Sequence, residues 1–140
     1  MGCLVDGKVF LPKHEGINPT VVVNYQFFEG DYYFSLSFKD QRGVGVKSIH
    51  IGVLKINLEA GQVYVLNKNN HDNGNFTGGG GSYNLSNSYN FYTNTNNTGE
   101  LTITRLDLSS SIISGTFWFD AVNEEGEIVE IREGRFDVTY

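Results

Sequence analysis

The chain has 140 residues, enough for one domain with its own core, since a chain of this length buries roughly 68% of its unfolded surface. A formal charge of −6 and a pI near 4.9 leave no basic footprint for phosphates, which argues against nucleic acid and against docking on anionic lipid through a polybasic patch. One cysteine, Cys3, excludes an internal disulfide and a cysteine-rich zinc site. Seventeen Gly and two Pro favour strands and turns over helices, and eight Tyr, ten Phe and one Trp supply large contact areas.

Residues 4–11 read as a short strand interrupted at Asp6-Gly7, and residues 12–19, with a proline at each end, as loop. Over residues 20–28, Val21, Val23, Tyr25 and Phe27 share one face, while Asn24 and Gln26 share the other. After Glu29-Gly30-Asp31, Tyr32, Phe34, Leu36 and Phe38 alternate against Ser35, Ser37 and Lys39. Two alternating runs across a glycine turn predict a β-hairpin. Residues 46–58 are rich in β-branched side chains, but the apolar phase shifts from Ile49, Ile51 and Val53 to Leu54, Ile56 and Leu58. A bulge near Gly52 or a break into two strands reconciles the two phases. A further short strand is expected over 62–66.

Residues 67–82 are rich in Asn and Gly and keep no periodicity, which predicts a long flexible hairpin loop. The glycine run 78–81 has no following Lys-Ser/Thr and no helix, so it reads as part of that loop and not as a phosphate cradle. Tyr83, Leu85, Tyr89 and Phe91 then share a parity in a strand over 83–93. From Gly99 onward three strands follow, joined by a Ser turn and an Asn-Glu-Glu-Gly turn. In the middle one, Ile113, Gly115, Phe117, Phe119 and Ala121 face one way, and Ser114, Thr116, Trp118 and Asp120 the other. In the last, Val129 and Ile131 oppose the parity of Phe136, Val138 and Tyr140, which places a bulge at Gly134. No helix is predicted. The expectation is a single all-β domain over 1–140, an antiparallel up-and-down meander of about eight to ten strands. It closes as a calycin- or lipocalin-like barrel or, alternatively, folds into a two-sheet β-sandwich.

Catalytic signatures are missing from the sequence: it has no Gly-x-Ser-x-Gly elbow, no His-Glu-x-x-His, no Walker loop and no dinucleotide fingerprint. No cofactor is implied, and the chain reads as a non-enzyme. His14, His50 and His71 are scattered, with His50 on the wet side of its strand and expected to be solvated. Asp72, Asn73 and Asn75 surround Gly74 loosely like a calcium loop, without the bidentate Glu such loops need. Glu124, Glu125, Glu127, Glu130 and Glu133 crowd the final turn. Paired carboxylates hydrolyse glycosides, but a turn plus the wet face of a strand accounts for these better. Glu130 and Arg132 share a parity and are expected to form a minor surface pair. Trp118, Tyr33, Tyr92 and Phe28 lie opposite the main apolar parity. Trp118, Tyr33 and Tyr92 are the ligand-binding candidates, because exposed aromatics beside Asn and Asp suit glycan or peptide recognition.

Gly99–Asp107, Ile112–Phe119 and Glu133–Val138, with the opening Cys3–Phe10, resemble a family of small Bacteroidota envelope lipoproteins of unknown function. The shared motifs are turn glycines and core aromatics, and no catalytic residue comes with them. The resemblance implies an exported protein of the cell envelope, facing the periplasm or the cell surface, with its signal removed from this chain. The membrane would be reached only through a lipid anchor upstream of or at Cys3. The role expected of the domain is non-catalytic binding of a small apolar or glycan ligand or a partner protein, or else that of a structural accessory of the envelope. A hydrolase using the acidic cluster stands behind these.

Overall fold

The computed structural model describes residues 1–69, 75–86 and 89–140. It contains the strands β1 (Gly2–Val5), β2 (Lys8–Phe10), β3 (Val21–Phe28), β4 (Asp31–Asp40), β5 (Lys47–Leu54) and β6 (Val63–Leu66). These are followed by β7 (Gly78–Leu85), β8 (Tyr89–Tyr92), β9 (Gly99–Asp107), β10 (Ile112–Val122) and β11 (Ile128–Thr139). The domain is all-β, as the period-two pattern predicts. Its strands join in one sheet, in the order β2-β1-β11-β10-β9-β6-β7-β5-β4-β3, with β8 pairing both β7 and β10.

That extra strand closes a ring. β10 pairs β9 up to Phe119 and then meets β8 at Val122 and Tyr92. On the other side, β7 touches β6 at Gly79 and pairs β8 from Ser82 to Leu85. A five-strand barrel of β6, β7, β8, β10 and β9 results, with the other strands outside it. Strands β5, β4 and β3 extend from β7 as one wing; β11, β1 and β2 extend from β10 as the other. The wings meet across a layer of rings, with Phe34 against Phe136 at 6.2 Å and Phe10 against Phe38 at 5.7 Å, and Phe38 also lies 6.1 Å from Phe117 of the ring strand β10. Strands consecutive in the chain pair in β1-β2, β3-β4-β5, β6-β7-β8 and β9-β10-β11; the pairings that join these groups are between distant segments, as of β1 with β11, β6 with β9 and β5 with β7.

The glycine run is not a loop beyond residue 77. Gly78 opens β7, which pairs all along β5, from Lys47↔Leu85 to Leu54↔Gly78. Its missing side chains make room. A Cβ on Gly81 would lie 3.0 Å from the Phe119 ring, and one on Gly79 would lie 2.7 Å from the Val65 carbonyl. A Cβ on Gly99 would strike the Trp118 carbonyl and Phe119. Phe119 is fully buried in the ring, with Leu66, Leu101 and Ile103 also at zero exposure. The interior of the ring is therefore packed with side chains, as a barrel this narrow requires.

Thr93, buried just after β8, supplies the polar stitch. Its Oγ1 accepts from the Gly81 N–H at 2.9 Å and donates to the Lys68 carbonyl at 2.7 Å. Its own N–H donates to the Gly81 carbonyl. Periodicity carried no sign of this residue.

Three boundaries differ from expectation. Residues 83–93 divide into the end of β7 and β8. β5 stays in register with β4 and β7 past Gly52 and ends before Lys55, whose φ is +61°, so the phase shift marks the chain leaving the sheet. Leu58 is buried after that exit. The bulge in β11 lies one step before Gly134: Phe117 pairs Gly134 and Phe119 pairs Ile131, leaving Arg132 and Glu133 opposite Trp118. Glu133 takes the left-handed conformation, φ +52°. Gly134 itself is needed because any Cβ there would enter the Phe117 ring.

Thr93→Val keeps the shape of the side chain but strands the Gly81 N–H and the Lys68 carbonyl. Urea denaturation should show a loss of about 1–3 kcal/mol, most of it recovered by Thr93→Ser.

Candidate functional site

Ring closure by β8 places a hollow of about 330 Å³ on the outer surface, lined by Asn69, Tyr89, Asn90, Tyr92, Asn94, Val122, Asn123, Glu124 and Glu125. Tyr89 and Tyr92 come from β8, Val122 from the end of β10. The flanking turns are locked by asparagine. Asn94 Oδ1 accepts from the backbone N–H groups of Asn96 and Asn97 at 2.9 and 2.8 Å. Asn123 Oδ1 accepts from the Glu127 N–H at 2.8 Å, and its Nδ2 donates to the Glu127 carboxylate. Such turns fix loop side chains without regular structure, and this one holds Glu124 and Glu125 at the hollow. Tyr89 is half exposed. The Tyr92 hydroxyl is pushed up from its ordinary value, first by burial and then by the Glu124 carboxylate. The hollow is therefore aromatic, amide-rich and electronegative, a setting that disfavours anions and offers acceptors to hydroxyl groups.

Trp118 lines a second hollow, of about 220 Å³, with Glu100, Thr102, Thr116, Phe117, Glu133, Gly134 and Arg135. The two hollows share no residue. Trp118 is 37% exposed, donates its ring N–H to Glu100 at 3.3 Å, and carries the Arg132 guanidinium 5.4 Å from its ring centre. Arg132 belongs to the bulge. It pairs with Asp120 at 2.6 Å and Glu130 at 3.4 Å, and donates to the Phe119 carbonyl. The expected Glu130–Arg132 pair is thus present, with Asp120 as the closer partner.

The aromatic candidates do not converge. Tyr92 lines the first hollow and Trp118 the second; Tyr33, on β4 opposite Gln26 and Leu54, lines neither. Tyr89 and the amides around Tyr92 were missed because Tyr89 shares the parity of core residues such as Phe91. The acidic residues also separate: Glu124 and Glu125 face the first hollow, Glu127 secures the turn, Glu130 meets Arg132, and Glu133 borders the second hollow. Of the calcium candidates, Asp72 and Asn73 lie outside the described residues; Asn75 accepts from Lys55 Nζ at 3.4 Å. Among the described residues no three His, Cys, Asp or Glu side chains gather as a metal site. His50 is not simply solvated: burial lowers its pKa, and it stands between Ser37 and the buried Ser82 in register. Cys3 is buried in β1, between β2 and β11, and burial pushes its thiol up to about 12.

The class that the structure defines is an all-β domain with a filled five-strand ring and hollows on its surface. It belongs to a family described as a domain of unknown function (DUF6252), which matches residues 20–138. No curated protein and no solved structure matches the chain. No helix among the described residues is long and apolar enough to cross a membrane.

Two buried groups make measurable statements. A thiol with a pKa of about 12 is ionised in only about one molecule in ten thousand at pH 8. Native protein should therefore resist Ellman's reagent at that pH, and denatured protein should react promptly. For His50, the folded protein protonates below the ordinary value of 6.5, while the unfolded chain protonates at it. The associated stability is present above 6.5 and lost as the pH falls through the lowered folded value. Melting temperature should thus fall more steeply below about pH 6.5 in the wild type than in His50→Gln.

Proposed function

We propose that this chain is a non-catalytic binding domain of an exported envelope lipoprotein, and that it takes a neutral glycan in the hollow beside β8. The observation that carries this reading is the composition of that hollow: two tyrosines, asparagine amides and two carboxylates on a rigid strand-and-turn frame. Aromatic faces stack on the apolar faces of sugars, and amides with carboxylates match their hydroxyl groups. The electronegative rim supports a neutral ligand over an acidic one. The packed ring supports surface recognition over carriage of an apolar molecule inside the barrel.

The envelope assignment rests on the motifs in the last three strands and in β1. With the Cys3 thiol serving as a core group, the lipid anchor of this reading lies upstream of it. The hydrolase alternative is disfavoured by the separation of the acidic residues into different surroundings. A structural accessory would need neither hollow.

Titration calorimetry against a panel of neutral oligosaccharides should find a binder that is recovered uncleaved. Tyr89→Ala should weaken that binder about tenfold, the loss expected for one stacking contact, with little change in stability. Silence across the panel, or unchanged affinity in Tyr89→Ala, would remove this reading.

A further inference from the structure

The sheet has two ends, and they are built differently. At one end β2 is only three residues long, begins with Lys8 and is followed closely by Pro12, all features that discourage another strand from adding. At the other end β3 runs for eight residues, Val-Val-Val-Asn-Tyr-Gln-Phe-Phe, with no charge and no proline. It pairs with β4 alone. The Lys39 N–H donates to the Thr20 carbonyl at 2.8 Å, so hydrogen-bonded pairs recur at Val22/Ser37, Asn24/Ser35, Gln26/Tyr33 and Phe28/Asp31. The two-residue turn Glu29-Gly30, with φ of +48° and +89°, agrees with that phase. The main-chain groups of Val21, Val23, Tyr25 and Phe27 therefore point away from the sheet. Among the described residues nothing takes them up.

We propose that β3 pairs antiparallel with β3 of a second copy, extending the sheet across a twofold axis at Asn24. In that register Val21 pairs with Phe27 of the other copy and Val23 with Tyr25, so every outward-facing residue of both strands is used. Side chains match as well as main chains. Phe27, 62% exposed in the single chain, gains Val21 of the other copy as a neighbour on the inner face. On the outer face Asn24 meets its own counterpart and Val22 meets Gln26. The strand carries none of the chain's negative charge, so the two copies bring no like charges together along the seam. This self-complementarity favours a second copy over an unrelated strand, and the inference is independent of the glycan reading.

The test is sedimentation velocity across micromolar to submillimolar concentrations. Wild-type protein should dimerise with rising concentration. Asn24→Asp and Asn24→Lys place like charges face to face on the axis and should each weaken the dimer about tenfold or more. Asn24 is exposed, so at low concentration, where the wild type is monomeric, both variants should keep its melting curve. An equimolar mixture of the two should recover dimer, which a merely damaged surface would not do. Val23→Pro removes an outward N–H without adding charge and should also weaken association. A wild-type protein that stays monomeric, variants that dimerise undiminished, or a mixture that fails to recover dimer would overturn the proposal.

Discussion

The contact of Phe119 with two glycines, Gly81 of β7 and Gly99 of β9, is the constraint from which the architecture follows. Closing a ring with only five strands brings Gly81 of β7 within one side chain's width of β10, while Gly99 is the paired neighbour of Phe119 on β9 and lies against its backbone. One large ring fits that space only if the facing positions are empty. Leu66, similarly, lies over Gly79. The hydrogen bonds at Thr93 then tie the glycine strand to the segment after β6. Shape comes from the glycines, polar satisfaction from Thr93, and neither suffices alone.

A filled interior moves any recognition to the outside. β8 is a short strand bridging β7 and β10, and the same pairing that closes the ring lifts Tyr89 and Tyr92 to the rim of the first hollow. The turns at Asn94 and Asn123 hold the walls through side-chain-to-backbone bonds. The second hollow is organised by the β11 bulge, which turns Arg132 over Trp118 and toward Asp120. Both partners of the Arg132–Asp120 pair are about one-third exposed, so solvent screens it to about 1 kcal/mol or less; its effect is to orient the indole.

Much of the strand pattern was legible in the sequence because burial on one face leaves a period of two. The hairpin of β3 and β4 and the trio β9, β10 and β11 fall where alternation places them, and the inward residues of β10 are those with the predicted parity. Legibility failed where the signal is not carried by apolar side chains. Residues 78–81 have none, so a strand at the centre of the pairing read as loop. The bulge was displaced by one residue because Gly134 is there for the Phe117 ring, while the left-handed turn falls on Glu133. His50 read as wet because its own strand says nothing of what covers its outer face.

The class of fold, the phase of most strands and the want of any catalytic signature are readable from the residues in order, since these depend on local periodicity and composition. Tertiary structure alone decided that the barrel closes through β8, that Tyr89 and Tyr92 share a hollow while Trp118 and Tyr33 stand apart, and that β3 is left as an open edge. Those are matters of which strand lies beside which. Pairing between segments distant in the chain is settled by how volumes fit across the core, as the Phe119 ring fits against Gly81, and no single segment carries that information.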